Sequence, residues 1–373
     1  MRSNRSQKGS PPGFQPGAAL VTALAIAALA SGAGAAERDP RGLALSGDAT
    51  ADLAWSVTEP FAAGVGEGIY LGGISSRLNA IGGDRTNSKV EASAIARLAW
   101  GPSVDDGTLP AVSLEVKKLF LSIYTDLADI SVGRMIVNYG RGDVFSPVDL
   151  FSGVDVDDLA LGRTGTDALR VLVPLGALSG LDLVASLSDS PDDATAGARA
   201  YANAAGWDFG LSAFRVAGPA PEGDFLAIGA DLKGDLELGL SSELALRVPF
   251  AEPGAPSAQW MFGLDYSLAA AWFLDLEYAW NLPLPGAAAF AFNGAHNLFA
   301  SLSWKIDELD ALDFRAIANL SEAAWQGSLS VARSVADGAT ASAYAMYRSG
   351  DVEGAGVSAV ARAMLGIRLS VAY

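Results

Sequence analysis

Leu365-Gly-Ile-Arg-Leu-Ser-Val-Ala-Tyr373 decides how the rest of this chain is read. Leu365, Ile367, Leu369, Val371 and Tyr373 share one face of an extended strand, and Gly366, Arg368, Ser370 and Ala372 share the other. Period two predicts a strand with apolar surroundings on one side and polar surroundings on the other. A closed barrel in a lipid bilayer needs this pattern on every strand, because its outside meets hydrocarbon. Its last strand must also pair with its first, so that no edge is left free. Such a chain should repeat the pattern in segments of roughly nine to eleven residues, the length that crosses a membrane at a tilt.

The pattern does repeat. Over 235–248, Leu236, Leu238, Leu240, Leu244, Leu246 and Val248 oppose Asp235, Glu237, Glu243 and Arg247. Trp272, Leu274, Leu276, Tyr278 and Trp280 oppose Asp275 and Glu277. Leu298, Ala300, Leu302, Trp304 and Ile306 oppose Asn297, Ser301, Ser303 and Lys305. This parity predicts that arginine is tolerated at Glu277 and harmful at Leu276. Val112, Leu114 and Val116 alternate with Ser113, Glu115 and Lys117, and then the phase slips at Lys117-Lys118, as a β-bulge would cause. Trp260, Trp272, Trp280, Trp304, Trp325, Tyr347 and Tyr373 gather near strand ends, which fits two interfacial girdles. Tight connections at 233–235, 307–310 and 336–338 alternate with longer ones at 249–256, 282–295 and 349–357. The expected fold is all-β, a transmembrane antiparallel up-and-down barrel of about eighteen strands, with sixteen as the alternative. A soluble β-sandwich also alternates, but its strands are shorter, and paired acids and bases on the polar face suit a wet lumen better.

Composition agrees. Half of the 373 residues are hydrophobic. No apolar run beyond the N-terminal region is long enough to cross a bilayer as a helix, so the apolar residues are interleaved. Arg2, Arg5 and Lys8, the apolar stretch 18–30 and Ala33-Gly-Ala-Ala36 predict a signal peptide over 1–36, ahead of a barrel over 37–373. An uncleaved anchor helix is the alternative. With no cysteine, neither a lipoprotein anchor nor a disulfide framework is available. The formal charge is −17, and losing the signal leaves 22 Lys and Arg against 42 Asp and Glu. That acidity disfavours nucleic acid and anionic lipid as partners and is compatible with attracting cations.

Alternation stops over 141–167. Just before it, Arg134 and Asn138 share one face of a strand, and Met135, Val137 and Tyr139 share the other. Gly140 and Gly142 permit a sharp departure from strand geometry, and Pro147 forbids its continuation. Residues 141–167 hold Asp143, Asp149, Asp155, Asp157, Asp158 and Asp167 against Arg141 and Arg163. A loop of this length can fold into a barrel and narrow it. Acid facing base across a pore then sets a transverse field and charge selectivity. The candidate constriction is Arg134, Asn138, Arg141, Asp143, Asp149, Asp155, Asp157, Asp158, Arg163 and Arg170. A solvated outer loop with no part in transport is the other interpretation.

Gly133-Arg134, Tyr139-Gly-Arg-Gly-Asp143 and Pro147-Val-Asp149 resemble porin-like outer-membrane barrels of diderm bacteria and, more loosely, alginate-export barrels. The similarity covers about forty residues. It implies an outer-membrane channel or exporter without identifying a solute. The 365–373 segment likewise resembles the signal by which the barrel assembly machinery recognises its clients, which implies that machinery and outer-membrane lipids as partners. The expected cargo is small, cationic or neutral solutes. The alternative is a non-conducting surface barrel or a component of polysaccharide or envelope export.

Enzymatic, metal and cofactor signals are weak. His296 is the only histidine and lacks a Ser/His arrangement on its strand. Asp155-Val-Asp-Asp158 lacks the glycine and terminal Glu of a calcium loop, no other cluster has metal-ligand spacing, and Gly64-x-Gly66-x-Gly68 has no strand–helix context. The chain is therefore expected to have no catalytic residues, metal or cofactor.

Overall fold

The computed structural model describes residues 42–60, 68–156, 158–218, 223–250, 255–282, 292, 294–350, 352 and 362–373. The expected signal peptide and Asp157 lie outside the described residues.

Alternating sequence becomes eighteen strands. The first six are β1 (Ala44–Thr58), β2 (Ile69–Gly83), β3 (Ser88–Trp100), β4 (Val112–Tyr124), β5 (Asp129–Met135) and β6 (Thr166–Gly176). Next come β7 (Ser179–Ser186), β8 (Ala196–Ala204), β9 (Trp207–Val216), β10 (Phe225–Asp235), β11 (Gly239–Pro249) and β12 (Ser257–Leu268). The last six are β13 (Trp272–Leu282), β14 (His296–Lys305), β15 (Asp310–Asn319), β16 (Ala324–Ala336), β17 (Ala339–Ser349) and β18 (Arg362–Ala372). Each pairs antiparallel with its neighbours in sequence, and β1 pairs with β18 from Asp48↔Ala372 to Thr58↔Arg362. The sheet is thus a closed ring, and every strand finds partners on both sides.

The two faces of the ring follow the parity of the sequence. Leu53, Trp55, Leu365 and Ile367 stand exposed on the outside, and Leu211 is 66 % exposed there. Leucines bared around a whole ring call for an apolar solvent. Among the described residues no second sheet packs against this one, which removes the sandwich. The inside carries the charge: across the closing seam Arg368 donates to Asp52 at 2.6 Å, and the Tyr344 hydroxyl donates to the same carboxylate at 2.7 Å. Aromatic pairs mark the two outer rims, Trp272 stacked on Trp304 at 4.5 Å and Trp325 tilted against Tyr347 at 4.9 Å. His296 opens β14 at a rim, bonded to Tyr278 and stacked on Trp280.

The bulge falls at Lys117. Ser93 pairs with Lys118 and Ala94 with Val116, so one β4 residue has no partner. At one end of the barrel the connections are tight, as at 84–87, 205–206 and 337–338, and at the other they are longer except at 320–323. Backbone N–H groups close the tight turns on acids. Thr86 hydroxyl and N–H hold the Asp84 carboxyl below its usual range, and the N–H groups of Leu309 and Asp310 do the same for Asp307. One turn lies later than its sequence suggests. Lys233-Gly-Asp235 continues β10, with Asp235 paired to Gly239, and the reversal occupies 236–238. The tight spot in the sequence is a glycine in a strand, Gly234, whose missing side chain leaves room for the Trp207 ring.

Candidate functional site

The break in alternation starts earlier than its composition suggests, because β5 ends at Met135 and β6 begins at Thr166. The interruption is therefore 136–165, not 141–167. Near its start Gly133 adopts φ +123°, a region that disfavours any side chain, and a Cβ there would meet the Leu119 carbonyl. From Ile136 the chain turns into the barrel and lies along its inner wall.

Two apolar clusters seat it. Val137, Tyr139, Val148 and Phe151 pack with Ala168, Val184, Phe214 and Ala245 of the wall. Val144, Phe145 and Val156 pack with Met261, Ala279, Phe299 and Ile317. Tyr139 stacks on Phe214 at 5.8 Å, and Phe151 meets the same ring edge-on at 5.4 Å. Burial of this many side chains, at roughly 1.5–3 kcal/mol each, decides that the loop stays inside rather than in water.

Polar contacts then fix its register. Glu243 of β11, fully buried, accepts from the backbone N–H groups of Arg141, Gly142 and Val148. Glu277 of β13, 3 % exposed, accepts from those of Asp143, Val144 and Phe145, the last at 2.7 Å. A buried loop has backbone donors that must find partners, and a carboxylate is the strongest acceptor available. Gly142 is required here, since a Cβ would crowd the Phe145 carbonyl and Glu277 itself. Farther along, Gln326 donates to the Val156 carbonyl at 2.8 Å and Arg315 to that of Leu159.

Of the nine candidate residues that are described, all but Arg134 lie on the loop or on the inner wall beside it. Arg163 locks the loop to itself, donating to Asp149 at 2.6 Å and to the Ser152 carbonyl at 3.0 Å. Asp158 accepts from the Ala160 N–H at 2.9 Å, and the Asp155 N–H donates to the Gly162 carbonyl. Arg141 reaches Asp231 at 2.7 Å, a carboxylate it shares with Arg199. Arg170 binds Asp182 through two nitrogens. With Asn138, Tyr139 and Tyr201, these three arginines line a cavity of about 290 Å³. Asp143 is exposed to the lumen.

Arg134 is the correction. Its register partners are Leu119 and Asp167, and it shares its face with the exposed Val132, so it stands on the outside of the ring. There it pairs with Asp167 at 2.6 Å. The parity of Ile130 and Val132 was the available signal, because an arginine two residues beyond them shares their side. Parity with Asn138 meant nothing, since the chain had already left the sheet.

Sequence reasoning also missed the wall groups that grip the loop: Glu243, Glu277, Asp231, Arg199, Arg315 and Gln326. Their inward parity was visible and their partners were not. Loop and grip cover the inner wall from β6 to β17. On the opposite arc the inward side chains of Asp48, Arg77, Arg97 and Glu115 remain at least a third exposed. In an eighteen-strand ring β4 lies across from β13, so Lys117 and Lys118 stand opposite Asp143, Asp265 and Asp275.

No protein-family model matches this chain, and no curated protein matches it. Solved structures do. Pseudomonas aeruginosa OccK5 (OpdH) aligns with TM-score 0.58 at 8 % identity, over 88 % of this chain and 98 % of that one. Acinetobacter baumannii OccAB4 aligns with TM-score 0.57 at 8 % identity, over 90 % and 100 %. Salmonella typhi OmpF, in a complex with daunomycin, aligns with TM-score 0.51 at 13 % identity, over 89 % and 97 %. At such identities the likeness is one of architecture, and the architecture of this chain is that of the porins.

Proposed function

We propose that this protein is an outer-membrane channel for passive diffusion of small hydrophilic solutes, with the 136–165 loop as its constriction. The observation that carries this is the one-sided seating of the loop. Glu243 and Glu277 hold it against one arc of the wall, and the charged inner faces of β1–β4 stay open opposite. Eighteen strands enclose a bore wide enough for water, and a loop across it sets the size limit. The porin architecture of the solved relatives supports the same conclusion.

Charge selection follows from the two sides of the aperture. Asp143 is exposed on the loop side, and Arg97, Lys117 and Lys118 face it from β3 and β4. The field is therefore transverse. The proposed preference for cationic or neutral solutes rests on Asp143 and on the acid surplus of the chain, with the β2–β4 bases acting against it. Insertion through the barrel assembly machinery, recognising the strand that ends in Tyr373, belongs to the same proposal.

Single-channel recording of the purified protein in a planar bilayer tests it. Discrete conductance steps are expected, with a reversal potential of cation-selective sign under a KCl gradient. Absence of steps would favour a non-conducting surface barrel or export component, for which the extent of loop packing along β6–β17 speaks. An anion-selective sign would move the selectivity to the β2–β4 bases and leave the channel itself standing.

A further inference from the structure

We propose that the outer face around β5 and β6 is the interface on which two copies of this chain pair in the membrane. Such pairing needs a barrel in the membrane and does not need that barrel to conduct. β4 spans Val112–Tyr124, yet β5 pairs with it only from Leu119 to Tyr124. Its upper half, Val112–Lys118, has β3 on one side and, among the described residues, no strand on the other. Val112 and Leu114 are 71 % and 72 % exposed, against 55 % and 37 % for the outward Leu119 and Leu121 below them, which β5 flanks. The wall dips here because the chain leaves the sheet at Met135 to enter the barrel and returns only at Thr166. Hydrocarbon cannot satisfy the backbone groups of such an edge, so this arc calls for a cover of protein.

The charges at the foot of this notch point the same way. Arg134 and Asp167 pair with each other at 2.6 Å on the outside of the ring, and both side chains stay exposed. Arg134 lies in one row with Leu119, which has Val112, Leu114 and Val116 above it and Leu121 and Ile123 below. The ion pair therefore stands midway up the apolar belt. Charge at that depth is costly against lipid and is retained where it meets protein. The same charges specify the partner. Copies enter the membrane in one orientation, so a symmetry axis between them runs along the membrane normal. Arg134 and Asp167 are register partners on adjacent strands. A two-fold axis between β5 and β6 therefore sets Arg134 of each copy against Asp167 of the other. It also turns the bare Val112 and Leu114 toward the residue that follows β7 in the second copy, Leu187, itself exposed. One surface thus meets its own complement, in charge and in apolar cover.

Val132 lies beside the proposed axis, on the outward face of β5. Replaced in the full chain by a benzophenone-bearing residue and irradiated in intact outer membranes, it should give an adduct of two copies of this chain, identified by mass spectrometry. The same replacement at Leu276, on β13 across the ring, should give none. Wild type extracted in mild detergent should have the mass of two chains by light scattering. Arg134→Asp leaves two acids on the face and Asp167→Arg leaves two bases, so either variant alone should lose the dimer. Co-expressed, the two variants should regain it as a mixed pair, which a role confined to one barrel would not produce. Heat-modifiable migration reports whether each variant folds, and if either does not, the adduct at position 132 decides alone. Adducts there with only lipid or a different protein overturn the proposal. So does a wild-type mass of one or three chains, or a dimer kept by both single variants.

Discussion

Leu276 and Glu277 are neighbours in sequence and live in different solvents. Leu276 points to hydrocarbon near mid-strand, so Leu276→Arg should cost about 2–4 kcal/mol in equilibrium unfolding from lipid vesicles. Parity alone predicts a mild outcome for Glu277→Arg, and the structure reverses that expectation. Glu277 is covered by the loop and accepts three backbone N–H groups, so an arginine would remove the acceptor and face those donors with a cation. Glu277→Arg should therefore unfold at least as readily as Leu276→Arg in the same assay. At the seam, Arg368→Ala removes a 2.6 Å ion pair that a tyrosine hydroxyl reinforces, whereas Arg77→Ala removes a 3.7 Å contact in the open. Arg368→Ala should lower stability by about 1 kcal/mol more, read as a shift in unfolding midpoint. Alternation tells which way a side chain points. It does not tell what lies there, because the chain covering Glu277 comes from more than 130 positions earlier.

For single elements, legibility depended on whether an element pairs with its neighbours. The bulge at Lys117 and the runs of β13 and β14 could be read off because local parity and local pairing are the same fact. The inward loop has no period, and its bounds were misplaced because Ile136–Gly140 still alternates after the sheet has ended. What holds it is a set of wall side chains drawn from six strands, which no window of sequence contains. This yields a prediction: Glu243→Gln with Glu277→Gln should convert steady conductance into a fluctuating one of higher mean, since neutral amides grip N–H donors less firmly. Deleting 144–164 should raise conductance without the fluctuation. It should also lower the unfolding midpoint, because Phe214, Met261 and Phe299 lose their cover. Unchanged conductance in both variants would place the current path away from the loop.

At the scale of the molecule, the barrel should fractionate with the outer membrane and migrate faster on gels before boiling than after. Recovery in the soluble fraction of cells lysed without detergent would contradict the bare leucine belt. Closure also has a temporal meaning. Seventeen of the eighteen pairings join strands adjacent in sequence, and one, β1 with β18, spans nearly the whole described chain. Local hairpins form early because little loop entropy opposes them, and the long-range pairing comes last. Until it forms, two sticky edges are open at once. The riskiest moment in this protein's life is thus the interval between its seventeenth pairing and its eighteenth, and anything that shortens that wait acts as its chaperone.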